Sequence, residues 1–273
     1  MTDLDTGTDH LLARIEQGVG VLTFNRPERR NALSGAMLEA LGRLLARFER
    51  DDDVRCVVLT GAGGAFCAGG DVKQMAGDGQ ATGGPVSYEE LVLRQRRNHE
   101  ETSGRLFAMA KPTVAVLPGP AAGAGLSLAL ACDLRYAAAS AVLTTAFARV
   151  GFSGDYGGSY FLSRLVGTGK ARELYFLSDR ISAGEAERLG IVNAVFPDDE
   201  LEAAALARAR RLAAGPTVAY RYMKENLNRA LHASLADCLD LEATHHLHTG
   251  TTADHLEAVQ AFVEHREPVF RGR

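Results

Sequence analysis

The chain has 273 residues, 46% hydrophobic and 23% charged, with a formal net charge of −4. That length supports one sizeable core with an appended subdomain, and the composition is that of a soluble globular protein. A mildly acidic chain has no general attraction for nucleic acid or anionic lipid, and no apolar run reaches the roughly 20 residues of a membrane span. The N-terminus, Met1-Thr-Asp-Leu-Asp5, is acidic and polar, unlike a signal or transit peptide. Cys56, Cys67, Cys132 and Cys238 are scattered without a C-x-x-C pair. Reduced thiols in a cytoplasmic protein are expected, with neither a disulfide framework nor a metal centre.

The run Val19-Gly-Val-Leu-Thr-Phe24 predicts a strand, ended by Asn25-Arg26-Pro27. From Met37, apolar residues recur at Leu38, Leu41, Leu44, Leu45 and Phe48, a helical spacing, with Ser34 as its N-cap. A second strand over 54–60 implies a crossover and parallel pairing. Residues 77–87, rich in glycine, predict a mobile loop. A helix over 88–109 follows, then a strand at 113–117 beyond Lys111-Pro112. The segment 124–132 is apolar on every side, which predicts a buried helix. Short strands are expected at 134–136 and 142–144, and helices at 158–166 and 171–177. Ser182-Ala-Gly-Glu185 reads as a capping box, with Gly190 as the stop before a strand over 191–196. Beyond Pro197 only helices are expected, at 199–213, 217–230, 234–248 and 252–266. The fold class is therefore α/β, with a core over 1–196 and a helical C-terminal region over 197–273.

Two glycine-rich turns carry the chemistry. The first is Gly61-Ala-Gly-Gly-Ala-Phe66-Cys67-Ala68-Gly69-Gly70-Asp71, after a strand. The second is Pro118-Gly-Pro-Ala-Ala-Gly123-Ala124-Gly125, after another strand and before the buried helix. Glycine allows close backbone approach, and the amides at a helix N-terminus attract negative charge. Two such turns aimed at one point would supply fixed donors to an enolate oxygen.

These motifs, with Asn25-Arg26-Pro27, Asn31-Ala32-Leu33, the stretch ending in Cys132-Asp133, Ser182-Ala-x-Glu185 and Ala261-Phe262-Val-Glu-x-Arg266-x-Pro268, resemble the enoyl-CoA hydratase/isomerase (crotonase) family. The resemblance implies a spiral of ββα units, a C-terminal helical trimerisation region and assembly as homotrimers or homohexamers. It implies an acyl-CoA substrate, with coenzyme A arriving as part of that substrate and no separate cofactor. It puts the oxyanion donors on the N–H groups of Ala68 and Ala124. Arg26 falls near the CoA phosphates, and Ala68, Asp71 and Phe262 near the adenine. Gly70, Gly123 and Phe147 fall along the rest of the substrate path. Where many members carry a lysine before Arg266, this chain has His265.

The chain departs from the hydratase pattern at both carboxylates. Those positions are Ser127 and Phe147, and neither can serve as acid or base. One acid remains nearby, Asp155, in Gly151-Phe-Ser-Gly154-Asp155-Tyr156-Gly157-Gly158. Its place resembles that of the acid/base in isomerising branches of the family. Local sequence offers a second reading, Asp155 as N-cap of the following helix. The expected activity is isomerisation, with enoyl-CoA hydration, thioester hydrolysis and CoA binding without chemistry as alternatives. Three other features invite a role without supplying one. Tyr220-Arg-Tyr-Met-Lys224 has a dehydrogenase-like spacing, His245, His246, His248 and His255 suggest solvated helical histidines, and Tyr88 and His99 could line an acyl pocket.

Overall fold

The computed structural model describes residues 1–71 and 87–273. Strands β1 (Thr2–Leu4), β2 (Leu11–Glu16), β3 (Val19–Phe24), β4 (Cys56–Gly61), β5 (Thr113–Leu117), β7 (Leu134–Ala138) and β10 (Ala194–Phe196) form one sheet in the order β1-β2-β3-β4-β5-β7-β10. The first three pair antiparallel, and from β3 onward every pairing is parallel. A second sheet joins β6 (Ala121–Ala122), β8 (Val142–Thr144) and β9 (Ile181–Ser182) in the order β6-β8-β9. Residues of β3, β4 and β5 are buried almost throughout, as parallel strands covered on both faces must be. The N-terminal pair β1 and β2 was not foreseen. The register Thr2↔Ile15 to Leu4↔Ala13 is a long-range pairing that the polar opening of the chain does not announce.

Helix α1 (Gly35–Arg50) starts where Ser34 accepts from the Met37 N–H, and buries Leu41, Leu44, Leu45 and Phe48 against the sheet. Lys111, itself buried, donates to the Phe48 and Asp51 carbonyls (both 2.6 Å) and so closes the C-terminal end of α1. The segment read as a loop over 77–87 lies outside the described residues, apart from Ser87. That residue caps α2 (Tyr88–His99) through the Glu90 N–H. A wider π turn at Glu100–Gly104 separates α2 from α3 (Arg105–Ala108), so the predicted single helix changes pitch midway. The short α4 (Ala124–Leu130) is buried at every position. Helix α5 (Gly158–Leu177) contains a break at Gly167 (φ 76°, ψ 163°), where the sequence predicts two helices. In α6 (Ala183–Arg188) only half of the expected capping box forms. Ser182 accepts from the Glu185 N–H while the Glu185 carboxylate turns to Arg188.

Past residue 196 the first helix packs on the sheet. Helix α7 (Leu201–Ala213) buries Leu201, Ala205, Ala209 and Ala213 in the main core, against β3, β4, β5, β7 and β10. Its alanine stripe lets the helix lie close to the sheet, so it belongs to the body. The helical extension begins at α8 (Thr217–Ala230) and continues through α9 (Leu235–Thr249) and α10 (Ala253–Val263). Lys224 fastens it: its ammonium is buried and donates to the Leu106 carbonyl and the Asp133 carboxylate, each at 2.9 Å. Asp133 also accepts from the Thr113 N–H at 2.7 Å, so β5, the end of α4 and α8 meet in one polar knot.

The two glycine turns are zipped together by backbone. The Phe66 and Cys67 N–H groups donate to the Pro120 carbonyl (3.1 and 3.2 Å), and the Ala122 N–H donates to the Cys67 carbonyl (2.9 Å). Cys67 and Ala121 form a parallel bridge. A side chain does not fit at the crossing. A Cβ on Gly119 would sit 2.0 Å from the Gly64 carbonyl oxygen, and one on Gly125 would sit 2.5 Å from the Cys67 carbonyl oxygen. Buried Asn31 braces the first turn by donating to the Ala62 and Ala65 carbonyls (2.9 and 2.8 Å) and accepting from the Arg26 N–H (2.8 Å).

Gly125→Ala is expected to lower the unfolding free energy by about 1–3 kcal/mol, because the clash is with fixed backbone. Gly184→Ala, where a Cβ meets nothing, serves as the control and should be neutral or mildly stabilising. Equal urea midpoints for the two variants would contradict the zipper. Lys224→Met should unpair Asp133 at a cost of about 2 kcal/mol. Limited proteolysis should then cut faster at the 214–216 joint than in the wild type.

Candidate active site

The second turn ends in Gly123 (φ 52°, ψ −126°), whose N–H donates to the Thr144 carbonyl at 3.1 Å. This places the Ala124 N–H first in α4, where no intrahelical acceptor exists and the helix dipole adds partial positive charge. The first turn reaches the same place. A Cβ on Gly69 would lie 3.4 Å from the Ala124 nitrogen, so the two backbones face each other at that point.

In the first turn the Ala68 N–H, expected to face the substrate, has an acceptor within the protein. The Ala68 N–H is directed to the Arg30 carbonyl at 2.9 Å, as part of the link between the turn and 30–33. The neighbouring Gly69 carbonyl accepts from the Leu33 N–H at 2.8 Å, which fixes the local strand direction. Neither Gly70 N–H nor Ala124 N–H has an acceptor among the described residues.

One side wall is aromatic. Phe147 is buried and its ring stacks on Tyr175, with centroids 5.8 Å apart at 19°. A Cβ on Gly123 would sit 3.8 Å from the Phe147 ring, which puts that ring beside the second turn. Ser127 is buried, and its hydroxyl donates to the Gly123 carbonyl at 3.2 Å within its own helix. The Ser127 and Tyr175 hydroxyls both crowd Gly158, where a Cβ would come within 2.2 and 2.7 Å of them. Burial, with Asp155 nearby, pushes the Tyr175 hydroxyl up to about 12, so it is neutral at pH 7. The two positions expected to carry the hydratase carboxylates thus hold a self-satisfied hydroxyl, Ser127, and a hydrocarbon ring, Phe147.

Asp155 is not the cap of α5. That helix begins on Gly157 with no side-chain cap. The Asp155 side chain instead faces α2, and 29% of it remains exposed. One carboxylate oxygen, Oδ1, lies 2.5 Å from His99 Nε2 and accepts from Gln95 Nε2 at 2.9 Å and from the Tyr156 N–H at 3.1 Å. The other, Oδ2, accepts from Gln95 Nε2 at 3.1 Å. The His99 ring leans on Tyr156 with centroids 4.6 Å apart. Burial, with Asp155 nearby, raises the Tyr156 hydroxyl well above its usual range. Gln95 and His99 stand four residues apart on α2, a spacing that puts them on one face. The sequence holds that spacing, but nothing in it reveals that the face meets Asp155. A cavity of about 340 Å³ between the sheet and α7, lined by Thr60, Gly61 and Leu201, contains none of these residues.

The residues expected at the CoA end are partnered within the protein or exposed on its surface. Arg26 donates to the Ala32 carbonyl (2.7 Å) and to Asp71 (3.1 Å), so both charged groups brace the first turn. Arg26 and Asp71 are thus paired with each other at the turn's base, which explains their proximity without a phosphate. Phe262 sits on α10 and is 82% exposed. His265 follows α10 with φ 54°, and its neighbour Arg266 pairs with Glu257 and Glu264. Tyr88 opens α2 and is exposed.

The remaining candidates fall to structural roles. Lys224 is the knot described above. His245 is buried rather than solvated, with Nδ1 at 2.5 Å from Asn226 Oδ1 and its ring against Tyr222. Among the described residues no group of three or more His, Cys, Asp or Glu side chains could hold a metal ion. Cys56, Cys67 and Cys132 are buried free thiols. Burial pushes Cys67 and Cys132 up to about 12, which suits packing rather than nucleophilic attack. Among the described residues no helix is long and apolar enough to cross a membrane.

Known proteins agree with this architecture. The chain matches the enoyl-CoA hydratase/isomerase family model over residues 14–273. It is 37% identical over 265 residues to the 1,2-epoxyphenylacetyl-CoA isomerase of Escherichia coli K12, covering 97% of this chain and 99% of that one. It is 40% identical over 259 residues to a Rhodobacter capsulatus protein named "Probable enoyl-CoA hydratase", covering 95% and 96%. An enoyl-CoA hydratase crystal structure from Polaromonas sp. JS666 superimposes with a TM-score of 0.88 at 32% identity, covering 95% of this chain and 99% of that one. With sequence, fold and paired turns in accord, the chain belongs to the enoyl-CoA hydratase/isomerase family and has the crotonase fold.

Proposed function

We propose that the protein is an acyl-CoA isomerase in which Asp155 moves a proton between two carbons of the acyl group. The observation that carries this reading is the partly exposed carboxylate of Asp155 near Tyr175 and its stacked neighbour Phe147, in a chain whose resemblance expects hydratase carboxylates at Ser127 and Phe147. Isomerisation has no net proton demand, so one carboxylate can serve as base and then as acid. Hydration needs a second proton carrier for water, and the wall offers none in the usual positions. The similarity to an epoxyphenylacetyl-CoA isomerase supports the same choice, although hydratase names occur among relatives of comparable identity.

In the proposed reaction the thioester oxygen accepts from the N–H groups of Gly70 and Ala124. Enolate charge developing there is stabilised by the two amides and the N-terminus of α4, a contribution worth about 10²–10³ in rate for each donor. Asp155 removes a proton from the acyl chain and returns it at another carbon. The aromatic wall of Phe147 and Tyr175 flanks the acyl group, and Gly123 gives it room beside the turn. Coenzyme A enters as part of the substrate, and no further cofactor takes part.

We also infer assembly through the C-terminal region, as a homotrimer or homohexamer in the cytoplasm. The support is apolar surface on α8 to α10 that the described residues leave exposed, such as Leu227, Leu235 and Phe262.

Incubating a mixed acyl-CoA pool with the enzyme should yield an isomer at constant mass, separable by chromatography. Asp155→Asn should lose about 10²–10⁴-fold in that conversion. Products heavier by one water would indicate a hydratase, and free CoA thiol a hydrolase. No change across the pool, with tight binding retained, would indicate a CoA-binding protein without chemistry. Light scattering of the purified chain should give three or six times its 29.1 kDa mass. A monomer at micromolar concentration would refute the assembly.

A further inference from the structure

The proposed reaction makes no use of His99 or Gln95, yet both converge on its carboxylate. Oδ1 of Asp155 is met by three partners: His99 Nε2 at 2.5 Å, Gln95 Nε2 at 2.9 Å and the Tyr156 N–H at 3.1 Å. Among the described residues Oδ2 is met by Gln95 alone, at 3.1 Å. A carboxylate oxygen has two in-plane acceptor sites, so Oδ1 is saturated and Oδ2 keeps one open. Resting on the reading of Asp155 as the proton carrier, we propose that His99 is a positioning residue. Its Nε2–H form pins Oδ1 and so reserves Oδ2 as the oxygen that takes and returns the substrate proton.

The surroundings favour this arrangement. Among the described residues no lysine or arginine pairs with Asp155, so the His99 ring is the basic side chain that meets it there. The other titratable groups that face the pair are the Tyr156 and Tyr175 hydroxyls and, behind Tyr156, the Cys67 thiol. Burial raises all three, so they are neutral at pH 7 and leave the carboxylate's charge to the His99 and Gln95 contacts. A single imidazole N–H holds one carboxylate oxygen, where the fork of a guanidinium would engage both. Packing of the His99 ring on Tyr156, whose own N–H also reaches Oδ1, makes the clamp rigid. Proton transfer needs the base within about 2.6–3.2 Å of its target, and a carboxylate free to rotate would lose that alignment.

The step balances simply. Oδ2 takes a proton from Cα, the electron pair moves into the thioester to form the enolate, and a proton returned from Oδ2 restores a C–H bond. In D2O the returned atom becomes deuterium, so exchange at Cα reports this step alone. Phenylacetyl-CoA is a suitable probe, because its benzylic Cα–H is acidic, and mass spectrometry reads the exchange. With the full-length enzyme, His99→Leu is expected to slow exchange at saturation by about 10- to 100-fold, with the half-saturating concentration changed less than about twofold. His99→Gln, which keeps a donor at nearly the same reach, should recover most of that loss. Gln95→Leu, read alongside in case His99→Leu does not fold, should slow exchange in the same manner. Wild-type exchange rates in all three variants, or a loss confined to half-saturation, would overturn the positioning role. The underlying reading fails separately, if Asp155→Asn exchanges like the wild type or the wild type does not exceed the uncatalysed rate.

Discussion

The contact between residues 64–69 and 119–125 is the constraint on which the rest of this protein depends. It consists of main chain against main chain, so the closest points of the crossing, Gly119 and Gly125, have no room for a side chain. A Cβ added to Gly119 or Gly125 would overlap carbonyl oxygens of the opposite turn. Hydrogen bonds from Phe66, Cys67 and Ala122 hold the register. Because these are backbone bonds within a close-packed region, the amides beside them cannot relax away from an incoming charge. An anion site built this way needs no reorganisation when charge develops, which is why it suits enolate chemistry.

The surrounding polar groups serve the same end. Asn31 holds the first turn by its side-chain amide, and Arg26 with Asp71 closes its base. A motif that reads as a ligand-binding cation in sequence is, in three dimensions, partnered within the protein itself. Lys224 and Asp133 do for the C-terminal helices what Asn31 does for the turn, tying α8 to the start of β5. Each is a buried charge or amide with its partners supplied, which is the condition for burying it at all.

Much of the architecture was readable before any coordinates. The helix over 35–50, the buried helix after Gly123, the parallel pairing of β3 with β4 and the four C-terminal helices follow from local periodicity and capping residues. The break near Gly167 was legible as a gap between two helical patterns. What escaped depends on distant partners. Strands β1 and β2 exist because they pair with each other and with β3, not because their sequence insists on it. Helix α7 looks like the first of a helical tail, yet its alanine stripe docks on the sheet. His245 looks like one solvated histidine among several, but Asn226 and Tyr222 enclose it.

By itself the sequence determined the family, the two glycine turns, and the presence of serine at 127, phenylalanine at 147 and aspartate at 155. These are matters of residue identity and order along the chain, and no folding is needed to read them. Tertiary structure alone decided which amides are available and what surrounds the carboxylate. Whether Ala68 or Gly70 offers an N–H depends on where the Arg30 carbonyl arrives, 38 residues earlier. Whether Asp155 caps a helix or faces His99 and Gln95 depends on how α2 lies against the loop before α5. Hydrogen bonds are directional and short-ranged, so a donor's role is set by what lies within about 3 Å of it. Sequence spacing does not encode that distance across a fold.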